Sequence, residues 1–447
     1  AQEIAVSPPP GTRLAVGQRF DVRVSAAGAP VEAAAPTITL DGAPLGPLVR
    51  IGDAWLVRDI ELTSSGRHLL EASLPGGAAR ASREIFGEAW PALDRGAARN
   101  VILLVGDGRG RAHRVAARAF LHGGANGRPG DLLAMEKLPV GGFLTTSSLS
   151  GFVTDSAAAG HALATGTKTA NTLLGVFPDE TPDRGDDDAS VEQLPALLAR
   201  TRGMVAGVVT TADVVDATPA AFLAHSGDRY SDQIIARDEL SAASQGYLRV
   251  LMGGGSRRFK ANGGESLKAF AQLGFAAVAN AAELQAAVGG GADRLLGLFH
   301  DGHMSSAFDS QRRGDPEVVK DFPNQPSLEA MTRAALALLA RHREGFFLLV
   351  EGAHIDRQSH AGDQERMVWE TLAFDRAVAA AVEFSRATNT DADPGNDTLV
   401  VVTADHETGG VVLPGVGDPA LTGTREYVRT YDSGGLPGNN DSNGDGF

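Results

Sequence analysis

The stretch Asn100-Val-Ile-Leu-Leu-Val-Gly106-Asp107-Gly108 decides the architecture. Its apolar run, Val101 to Val105, shows no polar alternation and stops at glycine and aspartate, the texture of a strand buried on both faces. The same texture returns at Met204 to Val209, Leu248 to Met252, Phe346 to Val350 and Leu399 to Val402. Between these runs lie segments of helical period: Val191 to Ala199, Leu328 to Arg341 and Met367 to Phe384. Alternation of this kind predicts an α/β fold, a doubly wound sheet flanked by helices. Ligands of such sheets sit outside the carboxyl ends of the strands, and the polar clusters of this chain fall there.

Upstream the period changes to two. Phe20, Val22 and Val24 alternate with polar residues, as do Ile38 with Leu40, and Leu70, Ala72 and Leu74. Turn signals separate these runs at Pro8 to Gly11, Gly28 to Pro30, Asp41-Gly42 and Pro75 to Gly77. The expectation is a small immunoglobulin-like β-sandwich over residues 1–88, a linker over 89–98 and a catalytic domain over 99–447. The sandwich carries no ionisable cluster and reads as a spacer or docking module. The acidic stretch Asp179 to Asp188 reads as a solvated loop.

Composition narrows the partners. The 447 residues carry 40 basic and 55 acidic side chains, a net charge of -15, which argues against nucleic acid or an anionic membrane as partner. An anionic substrate then needs local compensation, from metal ions or a buried arginine. No apolar run approaches the ~18 residues of a membrane span. The chain opens on Ala1-Gln2 without an initiator methionine, as a cleaved signal peptide would leave it, so a periplasmic or secreted location is expected. There is no cysteine, so a metal would have to be held by histidine and carboxylate.

Five carboxylates fall in or just after strand ends: Asp107, Asp216, Glu351, Asp356 and Asp405, joined by His360 and His406. A single aspartate at such a place is commonly a helix cap. Five in one crevice without cations would cost on the order of several kcal/mol in repulsion and desolvation, and divalent metals are the remedy. Asp356 and His360 are four apart, on one face of a helical turn, and suit zinc. Adjacent Asp405 and His406 can share an ion only from an irregular segment. Glu351, Asp216 and the Thr218 hydroxyl offer only oxygen, which suits magnesium. In Val153-Thr-Asp-Ser156-Ala-Ala-Ala a serine stands where an alanine-rich helix begins, a place that favours an alkoxide or bound phosphate and equally one where Asp155 and Ser156 could simply cap. No Ser-His-Asp motif accompanies it, which leaves activation by a metal.

These motifs are similar to those of the alkaline phosphatases. Asn100 to Gly108, Thr154-Asp-Ser156-Ala-Ala, Asp216-Ala-Thr218-Pro-Ala-Ala-Phe-Leu-Ala-His-Ser-Gly-Asp-Arg229, Gly253-Gly-Gly255, Glu351-Gly-Ala-His-Ile-Asp356-Arg-Gln-Ser-His360 and Thr403-Ala-Asp405-His406 run in that family's order. The resemblance covers about residues 99–410 and leaves the amino-terminal sandwich unmatched. It implies hydrolysis of small phosphate monoesters, with inorganic phosphate as product, through phosphoserine at Ser156. It also implies two zinc ions and one magnesium, and leaves room for a homodimer. Asp107, Asp405 and His406 would hold one zinc, Asp356 and His360 the other, and Asp216, Thr218 and Glu351, with Asp107 bridging, the magnesium. Arg229 would grip two phosphoryl oxygens with its planar fork. Arg357 reads equally as a phosphate contact and as an ion-pair partner of Asp216.

The family supplies a third imidazole to the Asp356 and His360 zinc from near its carboxyl end, yet no histidine follows His406. Asp441, Asn443 and Asp445, with Gly446, form the first half of a calcium loop that lacks its twelfth-position acid. Both deficits would be met by a chain that continues beyond Phe447, and that is the expectation. Two other functions remain open on sequence. One is a phosphodiesterase, sulfatase or phosphomutase of the same superfamily, which the oxygen-only third site disfavours. The other is an extracellular binding protein built on an inactive phosphatase scaffold.

Overall fold

The run 101–105 is the middle of the strand Asn100–Gly106, which pairs in parallel with Phe346–Gly352 on one side and Thr398–Thr403 on the other. In this computed structural model the described residues are 4–26, 34–90, 98–125, 128–179, 188–313, 319–320, 322–412, 415–416 and 428–429. The whole sheet has seven strands in the order Ala276–Val278, Leu295–Leu298, Leu248–Gly254, Val205–Asp213, Phe346–Gly352, Asn100–Gly106 and Thr398–Thr403. Every residue of Phe346–Gly352 and of Val205–Asp213 is buried, as an unalternating apolar run demands. Helices flank the sheet, among them Arg111–His122, Leu328–Leu339 and the long Gln364–Asn389. No helix among the described residues is long and apolar enough to cross a membrane.

The chain divides into two compact units. One is Ala1–Ala97 with Thr145–Ala206 and Val215–Leu248; the other is Ala98–Leu144 with Gly207–Val214 and Arg249–Phe447. Most of the expected linker, residues 91–97, lies outside the described residues.

In the first unit the amino-terminal strands form two sheets. A four-stranded sheet runs Ile4–Ser7, Arg19–Ala26, Ala54–Glu61, Val49–Ile51, and a five-stranded one runs Arg13–Ala15, Arg80–Glu88, Gly66–Ser73, Thr37–Leu40, Ala43–Pro44. Pairing is antiparallel except between Arg13–Ala15 and Arg80–Glu88. Val22, Val24, Trp55, Val57, Leu70, Ala72 and Ile85 fill the core, each fully buried aliphatic side chain contributing about 1.5–3 kcal/mol. Alternation fails in one respect. In Arg19–Ala26 the polar partners Asp21, Arg23 and Ser25 are buried as well.

The cause lies at residues 176–179 and 188–193. Phe20 bridges Val191, Asp21 accepts from the Ser190 hydroxyl at 2.7 Å, and Arg23 lies 3.2 Å from Asp179. Phe177, Ala189 and Val191 belong to the same apolar core as the sandwich residues. Asp179 is therefore no solvated loop residue: its side chain is 7% exposed against an Arg23 that is 2% exposed. Arg23 also lies 3.8 Å from Asp53, so this buried cation is shared between carboxylates. Residues 180–187 of the acidic stretch lie outside the described residues.

Candidate active site

In the second unit, side chains converge at the carboxyl ends of three neighbouring strands. Asp107 follows Asn100–Gly106, Glu351 is the penultimate residue of Phe346–Gly352, and Asp405 and His406 follow Thr398–Thr403 on irregular chain. The helix His354–His360 carries Asp356 and His360 one turn apart, with His360 Nε2 3.5 Å from the Asp356 carboxylate. Gly108 makes the cluster sterically feasible. It sits at φ 65°, and a Cβ there would lie 2.7 Å from Asp356 Oδ1, so only glycine fits between the first strand and this helix. Its amide donates to Asp405 Oδ1 at 3.0 Å, tying the third strand's loop to the first.

Single ligand atoms of Asp107, Asp356 and His406 lie within 4.8 Å of one another. His406 Nε2 stands 3.7 Å from Asp107 and 3.4 Å from Asp405. Asp107 Oδ1 and Asp405 Oδ2 are buried without a hydrogen-bond partner among the described residues. Burial, followed by the charges of Asp405, Asp356 and Glu351, pushes the Asp107 carboxyl well above the usual carboxylate range. Hard oxygen donors and imidazole gathered at this spacing are the donor set of a divalent metal centre, and these residues fit one.

The first unit places Ser156 at the first position of the helix Ser156–Thr165. Asp155 is the cap, its Oδ1 accepting from the Ala158 amide at 3.0 Å. Of the two capping readings, Asp155 takes the role and Ser156 does not. The helix packs on the short helix Ala217–Ala221, which carries Thr218. A Cβ at Gly160 would lie 3.0 Å from that of Ala221, so the approach depends on glycine. Asp216 caps this second helix, accepting from the Ala217 amide, and the buried Thr218 Oγ1 has no hydrogen-bond partner among the described residues. Arg229 is held by Asp155 at 3.1 Å and Asp216 at 3.2 Å. Burial works against its charge, but Asp216 and Asp155 outweigh that and hold its pKa above the ordinary arginine value.

The predicted residues thus form two sets, one per unit. Ser156, Asp216, Thr218 and Arg229 belong to the first; Asp107, Glu351, Asp356, Arg357, His360, Asp405 and His406 belong to the second. Arg357 is exposed, with its guanidinium 2.5 Å from His303 Nε2. Asp441, Asn443 and Asp445 lie outside the described residues, and so does any calcium site they form.

Four supporting residues escape a reading of the motifs. The Thr408 hydroxyl donates to Asp356 Oδ1 at 2.5 Å and lies 3.1 Å from His406 Nδ1. One hydroxyl has one proton, so with Asp356 as its acceptor it can only accept from His406, which puts the imidazole proton on Nδ1. The Nε2 lone pair then faces the carboxylates, as metal ligation requires. Thr210 Oγ1 donates to Glu351 Oε2 at 2.5 Å. His113 and Ser359 are both buried and bonded to each other at 2.9 Å. Burial, then the Arg109 charge, pushes His113 down to about 4, so its imidazole is neutral. Ser359, inside the motif that carries Asp356 and His360, and Thr408, two residues past His406, carry a positional hint in sequence; Thr210 and His113 do not.

Comparison with known proteins agrees with this geometry. Residues 98–428 match the family model for alkaline phosphatase. The chain is 33% identical over 393 residues to the alkaline phosphatase of Escherichia fergusonii, covering 79% of each sequence. The crystal structure of the cold-active alkaline phosphatase of a psychrophilic Shewanella superposes with a TM-score of 0.59 at 31% identity, covering 72% of this chain and 73% of that one. A TAB5 alkaline phosphatase variant with Mg bound in its M3 site superposes with a TM-score of 0.56 at 27% identity, covering 71% and 80%. The chain belongs to the alkaline phosphatase family and is a phosphatase that uses metal ions.

Proposed function

We propose that this protein hydrolyses small phosphate monoesters through a phosphoserine at Ser156, with two zinc ions and one magnesium as cofactors. The observation that carries the reading is that Asp107 and Asp405, each with a buried oxygen lacking a hydrogen-bond partner among the described residues, sit close to Asp356 and Glu351, carboxylates that repel one another when ionised. Asp107, Asp405 and His406 would hold one zinc; Asp356 and His360 the other; Asp216, Thr218 and Glu351 the magnesium. When bound, these ions supply Lewis acidity that favours the serine alkoxide and the departing alcohol oxygen.

The chain's own residues do the rest. Ser156 stands at a helix amino terminus, where the dipole stabilises negative charge on its Oγ and on an incoming phosphoryl group. Asp155 does two jobs: its Oδ1 caps that helix, and its Oδ2 lies 3.1 Å from Arg229, orienting a guanidinium whose fork suits two phosphoryl oxygens. Thr408 fixes the His406 tautomer. Arg357 adds a permanent cation next to Asp356 and would contact the phosphoryl group.

Release of nitrophenol from its phosphate monoester at alkaline pH tests the reading. Ser156→Ala should lower turnover by at least roughly two orders of magnitude at matched metal content. Near wild-type turnover in that variant would remove the serine from the mechanism.

A further inference from the structure

His113 lies on the helix Arg111–His122, away from every motif discussed above, yet its ring is wholly buried and both nitrogens are engaged. The Gly110 amide can only donate, and it points at Nδ1 from 3.1 Å. Nδ1 is therefore the acceptor and the proton sits on Nε2. From there the ring donates to Ser359 Oγ at 2.9 Å, and Ser359 passes its own proton to the Ile355 carbonyl at 2.6 Å. A serine inside a helix often bonds the carbonyl one turn back without further consequence. Here that bond also decides the hydroxyl's polarity, leaving its lone pair for His113. With these three bonds made the proton positions follow, and the Thr408 backbone is a further partner of the ring.

The ends of the relay are informative. Gly110 is three residues past Asp107, on the loop that leaves the central strand. Ser359 stands between Asp356 and His360 on the helix that presents both. These two segments carry carboxylates that approach closely, one oxygen of Asp107 and one of Asp356 lying within 4.8 Å of each other, and like charges at that distance repel. A neutral ring clamped between them resists that repulsion and fixes the separation of Asp107 from Asp356.

We propose that His113 is a positioning residue for the metal centre: with Ser359 it straps the Asp107 loop to the Asp356 and His360 helix, setting the spacing that zinc requires. This rests on the reading of those residues as zinc ligands. Partners of metal ligands that act in this way are worth 10- to 100-fold in metal affinity as a rough rule.

The test is zinc affinity of the full chain, by competition with a chromophoric chelator, for wild type, His113→Leu, His113→Gln, Ser359→Ala and the His113→Leu/Ser359→Ala pair. His113→Leu and Ser359→Ala should each weaken the tighter-held zinc roughly 10- to 100-fold. The double variant should be no worse than the worse single one, because both cut one strap. His113→Gln keeps a donor toward Ser359 and should recover most of the loss. Turnover should fall with little change in KM. Affinities within twofold of wild type, or additive losses in the pair, overturn the strap; so does a fall in the melting temperature of metal-free protein with zinc affinity unchanged. Should His113→Leu fail to fold, Ser359→Ala decides alone. Wild-type protein that takes up no zinc would overturn the reading of the ligands themselves, a result distinct from zinc-binding wild type with indifferent variants.

Discussion

The two sets of acidic residues solve the same electrostatic problem differently. In the first unit Asp155 and Asp216 are neutralised by Arg229 between them, and each also accepts a backbone amide at a helix start. In the second, Asp107, Glu351, Asp356 and Asp405 raise one another's cost of ionisation, and Asp107 and Asp405 keep buried oxygens without a hydrogen-bond partner among the described residues. One cluster is balanced by the chain itself. The other is relieved either by proton uptake or by added metal cations, so part of its stability at neutral pH should come from metal binding.

The strongest challenge to this contrast is chelation. Removal of bound metal ions should lower turnover by about two orders of magnitude or more and lower Tm, with the Tm loss greater at pH 8 than at pH 5. The sign follows from Asp107, whose metal-free pKa is raised: a raised carboxyl favours the folded state while protonated and penalises it as pH rises through that pKa. A Tm indifferent to chelator at both pH values would show that the second cluster balances itself.

Next in size is Arg229→Ala. It should weaken inhibition by inorganic phosphate roughly 10- to 100-fold, the worth of a bidentate charge-assisted contact of about 1.5–3 kcal/mol. Because Asp155 and Asp216 are partly exposed, Tm should fall by less than for a buried pair. Unchanged phosphate inhibition with a large loss of stability would make Arg229 a structural counter-charge only.

The smallest effect concerns Glu370, a buried carboxyl whose pKa burial drives from 4.5 to about 8, the Arg376 charge offsetting only part of the shift. This group escapes the conflict by keeping its proton. Its contribution should be intact below about pH 4.5 and should erode as pH rises toward 8. Glu370→Gln retains an acceptor for the Ala307 amide, so it should raise Tm at pH 9 and leave it nearly unchanged at pH 5. Thermal melts at the two pH values would check the sign.

Much of this was legible in sequence because burial on both faces leaves unalternating apolar runs. The strands read at 101–105, 248–252, 346–350 and 399–402 each fall inside an observed strand. Asp107, Glu351, Asp405 and His406 could be read as site residues because they stand at strand ends, and Asp356 with His360 because helical spacing puts them on one face. The rest depends on contacts between distant segments. Asp21 and Arg23 look like the solvent face of a sandwich strand until Ser190 and Asp179 meet them. His113 meets Ser359 across 246 positions, and Thr210 meets Glu351 across 141, separations that no local pattern reports.

The sandwich side chain Gln18 has a consequence of its own. It is 3% exposed, and its amide donates to the Glu192 carbonyl and to the carbonyl of Thr165, the last residue of the helix that begins at Ser156. Together with the core shared with Phe177 and Val191, this makes the sandwich a poor candidate for release by proteolysis. A protease that cut between residues 90 and 98 would yield a nicked molecule whose two pieces travel together through gel filtration. They would part only in denaturant, and the larger piece, once freed, would present Phe177 and Val191 to solvent as a surface prone to aggregate.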